Sequence, residues 1–402
     1  MTSPAPPVLA ADTRRSVLLL SFTCFCSMAT QRLCDAMLPE LSREFSASMA
    51  RVAQVVSLFA VAYGLAQLIY GSLGDRYGKF RVLTYATLAS GLASLAAAFS
   101  HNLDLLVAAR IAMAIASAAI IPMSLAWTGD AVPYAQRQET LARVGLGTTL
   151  GIVGGQLMGG VFVDTVGWRW AFVLMTALFL GVGSLLYADF RRQGQPAGQE
   201  GERQGVLGQT LEILRDPWAR RFLAVAVVQG GAGFGIVAII ATHLHEVHGL
   251  ALSTSGAIVA LFGLGGMIYM MVAKHLIHRL GEDGMALFGG YGMAASLLTV
   301  GLTPWWQLAP PAMLIGGFTF FMLHNTLQAN ATQMAPHARG LGVSMFATGL
   351  FLGQAVGVVV AASLISLVGS GGVMAGGAVV LASVATFLSV QLRRRQKAGL
   401  AG

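Results

Sequence analysis

The sequence predicts an all-α polytopic membrane protein, with twelve transmembrane helices in two pseudo-symmetric six-helix bundles. Three observations carry that expectation. The 402 residues are 55% hydrophobic and only 10% charged, with a mean hydropathy of +0.70, whereas soluble domains carry about 25% charged residues. Apolar runs of the length a bilayer demands, about 20 residues, recur along the whole chain. The second half also echoes the first. His278-Arg279-Leu280-Gly281 falls where Asp75-Arg76-Tyr77-Gly78 would, and Ala335-Pro336-His337-Ala338 repeats Val132-Pro133-Tyr134-Ala135 at the same offset. Gly349, Gly353, Gln354 and Gly357 repeat the spacing of Gly151, Gly155, Gln156 and Gly159. A duplicated six-helix unit is the economical explanation.

Taken in order, the runs predict spans near 16–38, 51–72, 82–99, 105–126, 142–163 and 170–188, then 222–242, 254–273, 285–303, 308–330, 341–367 and 373–391. The first follows Arg14 and Arg15 and continues without a small-residue cleavage site, so it reads as a retained helix rather than a signal peptide. Its three cysteines, Cys24, Cys26 and Cys34, read as small packing residues: Cys24 and Cys26 point about 200 degrees apart on a helix and suit no common metal. The organisation expected is a bundle over 1–190, a polar cytoplasmic linker over 191–221 and a second bundle over 222–402. A surface helix is expected near Leu207 to Leu214 in the linker.

Charge placement gives the orientation. Of the 25 Lys and Arg, Arg32 and Arg110 fall within spans and Arg43, Arg51 and Arg169 on the outer side, which leaves 20 on the cytoplasmic side when both termini are cytoplasmic. The net charge of +8 is thereby explained by topology, and a nucleic-acid partner is not expected. The expected setting is the inner (cytoplasmic) membrane, and the expected partners are lipid, protons and a small-molecule substrate. The chain is expected to be a monomer without cofactor or metal. Enzymes are disfavoured, because no nucleophile and base stand at credible spacing.

Between the second and third spans lies Gly71-Ser-Leu-Gly-Asp75-Arg76-Tyr-Gly78-Lys79-Phe-Arg81. A polar knot between two apolar runs must sit in water at one face. Gly71, Asp75, Arg76, Gly78 and Arg81 resemble the loop signature of the major facilitator superfamily of secondary transporters. Further pieces extend the resemblance. Gly167-Trp168-Arg169-Trp170-Ala171-Phe172 is similar to the entry of the sixth helix, and Asp130 with Arg137 to the charged pair after the fourth. Arg110 in Leu106-x-x-x-Arg110 resembles the fourth-helix arginine, with Ala114 where glycine is usual. Cys34-Asp35-Ala-Met-Leu-Pro39 resembles the first-helix segment of the bicyclomycin-resistance-like drug and proton antiporters. The resemblance implies the major facilitator fold and a cytoplasmic gate involving Asp75, Arg76, Arg81 and Asp130, weakened in the second half by His278.

Gly147, Gly151, Gly155 and Gly159 recur every fourth residue and share one helix face, which lets another backbone come close. They admit plain tight packing or a sliding contact between the halves. Gly151-x-x-x-Gly155-Gln156-x-x-Gly159-Gly160 resembles the fifth-helix signature of exporters, departing from it at Gln156, where that signature has proline. Export is favoured on that ground.

Arg32, Asp35 and Arg110 are charges at bilayer depth, where each costs about 2.5–3.5 kcal/mol on insertion scales. Arg32 and Asp35 share a face at i, i+3, and Arg110 is expected at a similar depth. They read either as a local ion pair anchoring the outer end of the first span or as a proton-coupling group centred on Asp35. Two guanidiniums against one carboxylate favour anionic or zwitterionic solutes, while the many Met and Phe residues suit varied apolar drugs. Polar substrate candidates are Thr30, Gln31, Gln54, Tyr63, Gln67, Gln229, His324, Asn325 and Gln328, each equally able to make an interhelical hydrogen bond. His243-Leu-His245-Glu246-Val-His248 lacks zinc-peptidase spacing and reads as a wet outer loop. The function expected is a proton-coupled exporter of drugs or small metabolites working by alternating access. The alternatives are a proton-coupled importer of a small organic anion and a non-transporting membrane sensor.

Overall fold

The computed structural model describes residues 11–193, 206–334 and 339–397. Ten helical stretches there are long and apolar enough to cross a membrane: α1 (Thr13–Glu44), α2 (Met49–Tyr77), α3 (Lys79–Ala98), α4 (Leu103–Ala131), α5 (Gln136–Asp164), α6 (Trp168–Arg192), α7 (Pro217–His248), α8 (Leu252–Leu302), α9 (Trp306–Ala331) and α10 (Gly340–Gln396). Every regular element among the described residues is helical.

Local chemistry sets the breaks. In α1 the regular helix stops at Arg32 and a 3-10 turn covers Asp35–Met37. Pro39 is the cause: it has no N–H to donate to the carbonyl four residues back, which is that of Asp35, and its ring crowds the same carbonyl. The chain resumes as a short helix over Leu38–Glu44 with proline in its first turn. Ser48 caps the next helix by accepting from Arg51 N, Asn102 caps α4 by accepting from Leu105 N at 2.8 Å, and Asp216 caps α7 by accepting from Trp218 N at 2.9 Å. A π-helical segment over Gly230–Gly235 interrupts α7.

Several boundaries differ from the sequence reading. The polar stretch after residue 72 is helix as far as Tyr77, and Gly78 alone, at φ +89°, separates α2 from α3. Helix bounds around the expected linker 191–221 differ from it: α6 carries past residue 190, a helix covers Val206–Arg215, and α7 begins at Pro217. Residues 194–205 lie outside the described residues, as does the expected Ala335 to Ala338 repeat. The expected spans 254–273 and 285–303 are the two arms of α8, joined at Gly281 (φ +65°). Those near 341–367 and 373–391 are the arms of α10, joined at Gly369 (φ +71°). Contacts with α9 show that α8 doubles back: Gly265 lies against Leu314 and Tyr269 bonds Asn325, whereas Gly289 lies against Leu323 and Gly316 against Ser296. In α10, Gly353 meets Val227 and Gly357 meets Gly231, while Ser370 bonds His243 and Gly377 meets Ile236. A lone glycine in the left-handed region suffices for such a reversal because it has no Cβ to clash. Gly78 and Gly281 occupy equivalent places in the duplicated pattern.

The histidine segment is also different from expectation. α7 runs through His248, and His243 is buried, bonded to Ser370 Oγ at 2.7 Å and the Val300 carbonyl at 3.1 Å. The helix pattern continues through the segment, so the imidazoles ride on a helix end instead of a loop, with His243 buried and His245 and His248 half-buried.

The α5 glycines pack against α1: a Cβ on Gly147, Gly151, Gly155 or Gly159 would strike the backbone carbonyl of Ser21, Phe25, Ala29 or Leu33. In α10, Gly353 and Gly357 meet the carbonyls of Val227 and Gly231 in α7 in the same way, with Gly349 looser. The stripe on α5 is therefore tight packing on α1. The α5–α8 contact is formed by other residues: Gly160 against Leu252, Gly256 against Gln156, Gly263 against Val153, and Asp164 Oδ2 accepting from Ser253 N at 2.6 Å. α2 and α10 meet where Thr348 Oγ donates to the Gly64 carbonyl at 2.8 Å.

Gly155→Ala should lower stability by about 1–3 kcal/mol through overpacking, read as a depressed unfolding temperature in detergent. Gly71→Ala, with nothing within 4 Å of the added methyl, should leave it unchanged or slightly raised.

Candidate functional site

Asp35 lies at the break that Pro39 imposes on α1 and is fully buried. Its Oδ2 accepts from Gln156 Nε2 on α5 at 2.8 Å and pairs with Arg32 Nη1 at 3.4 Å. The Arg32 guanidinium, also buried, lies 4.2 Å over the Phe234 ring of α7. The carboxylate thus has a good neutral donor, a long ion pair and a second oxygen, Oδ1, with no hydrogen-bond partner.

Arg110 on α4 is buried nearby but pairs differently. Its Nη1 donates to the Thr30 carbonyl at 2.8 Å, its Nε to the Val55 carbonyl at 3.3 Å, and its plane lies 3.9 Å over Phe59. The guanidinium fork bridges α1, α2 and α4 through backbone oxygens. It makes no ion pair with Asp35, so its pull on that carboxylate is one of field rather than contact.

At the other end, Lys79 Nζ bonds Asp130 Oδ2 at 2.5 Å, joining the start of α3 to the end of α4. Asp75 and Arg76 are exposed on α2, with Arg76 5.1 Å over Tyr77 and Arg81 6.0 Å over Tyr85. A Cβ added at Gly71 would meet nothing within 4 Å. Among the described residues Asp130 is the only expected gate residue in an ion pair, and its partner Lys79 is a cation of the same polar loop that was not placed in the expected gate.

The substrate candidates divide. Gln31 Nε2 reaches Gln354 Oε1 on α10 at 3.5 Å, and Tyr63 packs on Phe351 of α10, ring centroids 4.7 Å apart. Gln229 is fully buried with neither amide atom partnered. His324 sits among Phe234, Phe320, Phe321 and Phe346, stacked on Phe320 at 5.8 Å. Asn325 donates to Tyr269 at 3.0 Å. Gln328 is exposed and Gln54 half-buried. Three thiols, Cys24, Cys26 and Cys34, are buried and free. Among the described residues no group of three or more His, Cys, Asp or Glu is placed to hold a metal ion.

The family model of the Major Facilitator Superfamily matches residues 20–358. The chain belongs to the Major Facilitator Superfamily. Its ten apolar helical stretches are those of a multi-pass membrane protein of that family. The uncharacterized MFS-type transporter YwfA of Bacillus subtilis (strain 168) is 21% identical over 267 residues, which are 66% of this chain and 64% of that protein. The multidrug export protein EmrB of Escherichia coli (strain K12) is 23% identical over 208 residues, 52% of this chain and 40% of EmrB. The chain thus spans less than two thirds of the length of these curated relatives. A solved bacterial homologue of the human lysosomal transporter Spinster, inward-facing and occupied, aligns at TM-score 0.79 over 96% of this chain and 98% of its own, at 16% identity. At that identity the likeness is one of fold.

Gln156 and Gln354 stood out in the sequence as members of the glycine repeat but not as candidate site residues. Their shared place in the two glycine-framed repeats was the available signal, and both turn out to face polar groups of α1. Arg110→Lys keeps a charge but cannot span two carbonyls with a rigid fork. The expected result is a lower unfolding temperature in detergent with transport impaired; an unchanged melting curve would contradict the bridging role.

Proposed function

We propose that the chain is a proton-coupled secondary transporter that works by alternating access and exports drugs or small metabolites. The observation that carries this reading is a fully buried carboxylate at a break in α1, held by a neutral amide and a long ion pair instead of a tight salt bridge. A charge so placed is costly, and such residues in membrane spans mark proton and ion paths. Its charge depends on the balance between burial and the Arg32 and Arg110 fields, a balance that shifts with water access to either side. A proton arriving from the outer face neutralises Asp35, loosens its hold on Arg32 and favours release of substrate and reorientation.

In this reading each arm of α8 and α10 crosses the bilayer, giving twelve crossings in two halves, 1–190 and 222–402, with the linker and both termini in the cytoplasm of the inner membrane. The excess of Lys and Arg on that side supports the orientation, and each half supplies the partner of the other within a monomer. Export is supported by the glycine-framed α5 segment and by EmrB, whose name describes multidrug export. Lys79–Asp130, with Asp75, Arg76 and Arg81, forms the cytoplasmic gate region. Gln31, Tyr63, Gln229 and His324 are the substrate-facing candidates, with Gln229 the foremost because its amide is unpartnered.

A second reading, uptake of a small organic anion, draws on the two guanidiniums set against one carboxylate. Accumulation with and without an uncoupler separates the two: an uncoupled exporter lets cells fill, an uncoupled importer stops filling. For the proposal itself, Asp35→Asn in reconstituted vesicles should abolish the dependence of transport on a pH gradient while the protein stays folded. Full gradient-driven transport by that variant would remove Asp35 from the scheme.

A further inference from the structure

Two buried oxygens of one hydrogen-bonded pair of side chains lack any donor: Asp35 Oδ1 and Gln156 Oε1. Their companion atoms, Asp35 Oδ2 and Gln156 Nε2, are already joined at 2.8 Å. Buried polar atoms without partners are uncommon, and each one calls for an explanation. Both of these are acceptors, so neither can satisfy the other while Asp35 is ionised. One proton changes that.

We propose that Asp35 and Gln156 form a carboxylic acid–carboxamide pair in which the transported proton sits on Asp35 Oδ1 and is donated to Gln156 Oε1. The inference rests on the reading of Asp35 as the proton carrier and adds the residue that receives the proton's hydrogen bond. The balance is simple: a proton from water adds to Oδ1, the carboxylate becomes a neutral acid, and no other bond forms or breaks. Gln156 Nε2 continues to donate to Oδ2 in both states, so the amide need not turn over. Ionised, the pair has one hydrogen bond and two orphaned acceptors; protonated, it has two hydrogen bonds and none.

Gln156 is the acceptor the geometry offers, because its Nε2 already holds the companion oxygen of Asp35. The charged groups acting on Asp35 are Arg32, on its own helix, and Arg110 on α4, both of which can only donate, and the Cys34 thiol stands next in sequence. Phe234 of α7 covers Arg32, and α8 approaches through Gly256, which abuts the Gln156 backbone carbonyl. Proline or an apolar side chain at 156 would supply neither the donor nor the acceptor. Because Gln156 lies on the helix that contacts α8, the proton is bound at a position adjoining the α5–α8 contact. Gln156 is accordingly a positioning residue for the proton.

The test is acid-minus-neutral infrared difference spectroscopy of the full chain in lipid bilayers. A protonated-carboxyl carbonyl band that is lost in Asp35→Asn is expected, at the lower frequency of a hydrogen-bonded acid. Gln156→Met should shift that band up to the position of a free acid. In the wild-type protein carrying isotope-labelled glutamine, a side-chain amide band should move with the same pH midpoint, which decides the matter without any variant. A carboxyl band that keeps its position in Gln156→Met, or a labelled amide that stays silent while the carboxyl band titrates, overturns the pair but leaves Asp35 as the carrier. Absence of any Asp35-dependent band overturns the carrier reading as well.

Discussion

A carboxylate stripped of water must be given donors by the protein or else give up its charge. At Asp35 the chain supplies donors to one oxygen only, and much of the surrounding architecture serves that arrangement. Pro39 breaks the first helix at the residue that carries the acid. Gly155 and Gly159, on either side of Gln156, let α5 lie directly on the backbone of α1 at Ala29 and Leu33. With the two backbones that close, an amide side chain of ordinary length reaches the carboxylate. Substituents at these glycines would push the helices apart and withdraw the amide before any polar group was altered. The glycine stripe and the buried acid are thus one structural device.

The duplicated half repeats the device with different chemistry. Gly353 and Gly357 bring α10 onto the backbone of α7, and Gln354 beside them turns to Gln31 on α1. Where the first copy places an amide on an acid, the second places an amide on an amide. Only the first contains an ionisable group, so the repeated pattern is preserved in packing and broken in charge. Arg32 leaning on Phe234 of α7 and the Gln31–Gln354 contact both join α1 to the second half. Any change of charge at Asp35 is therefore felt next to groups that join α1 to α7 and α10.

Much of this was legible in the residues. Apolar runs and the internal echo were enough for an all-helical membrane protein, because bilayer crossing imposes length and composition directly, and the Gly71 to Arg81 stretch carried the family resemblance. Arg32, Asp35 and Arg110 stood out because charge at such depth is rare. What could not be read was partnership. Arg110 spends its donors on the carbonyls of Thr30 and Val55, oxygens that every residue carries and no sequence pattern marks. The breadth of the loops was overestimated because one glycine with positive φ, at 78, 281 or 369, does the work assigned to several polar residues. Gln156 was visible as a departure from a pattern, but its meaning depended on which helix the glycines faced. The histidine segment misled because polar side chains near a helix end look like a loop until Ser370 and the Val300 carbonyl are seen to satisfy His243.

Proton counting tests the central claim most directly. Titrating the detergent-solubilised wild-type chain and Asp35→Asn side by side across the physiological pH range gives the protons bound by each. The account predicts that the wild type takes up a single additional proton per chain as the pH falls, with the two curves parallel elsewhere. Superimposable curves would contradict it, since a buried acid that never changes its proton occupancy cannot couple a gradient to movement.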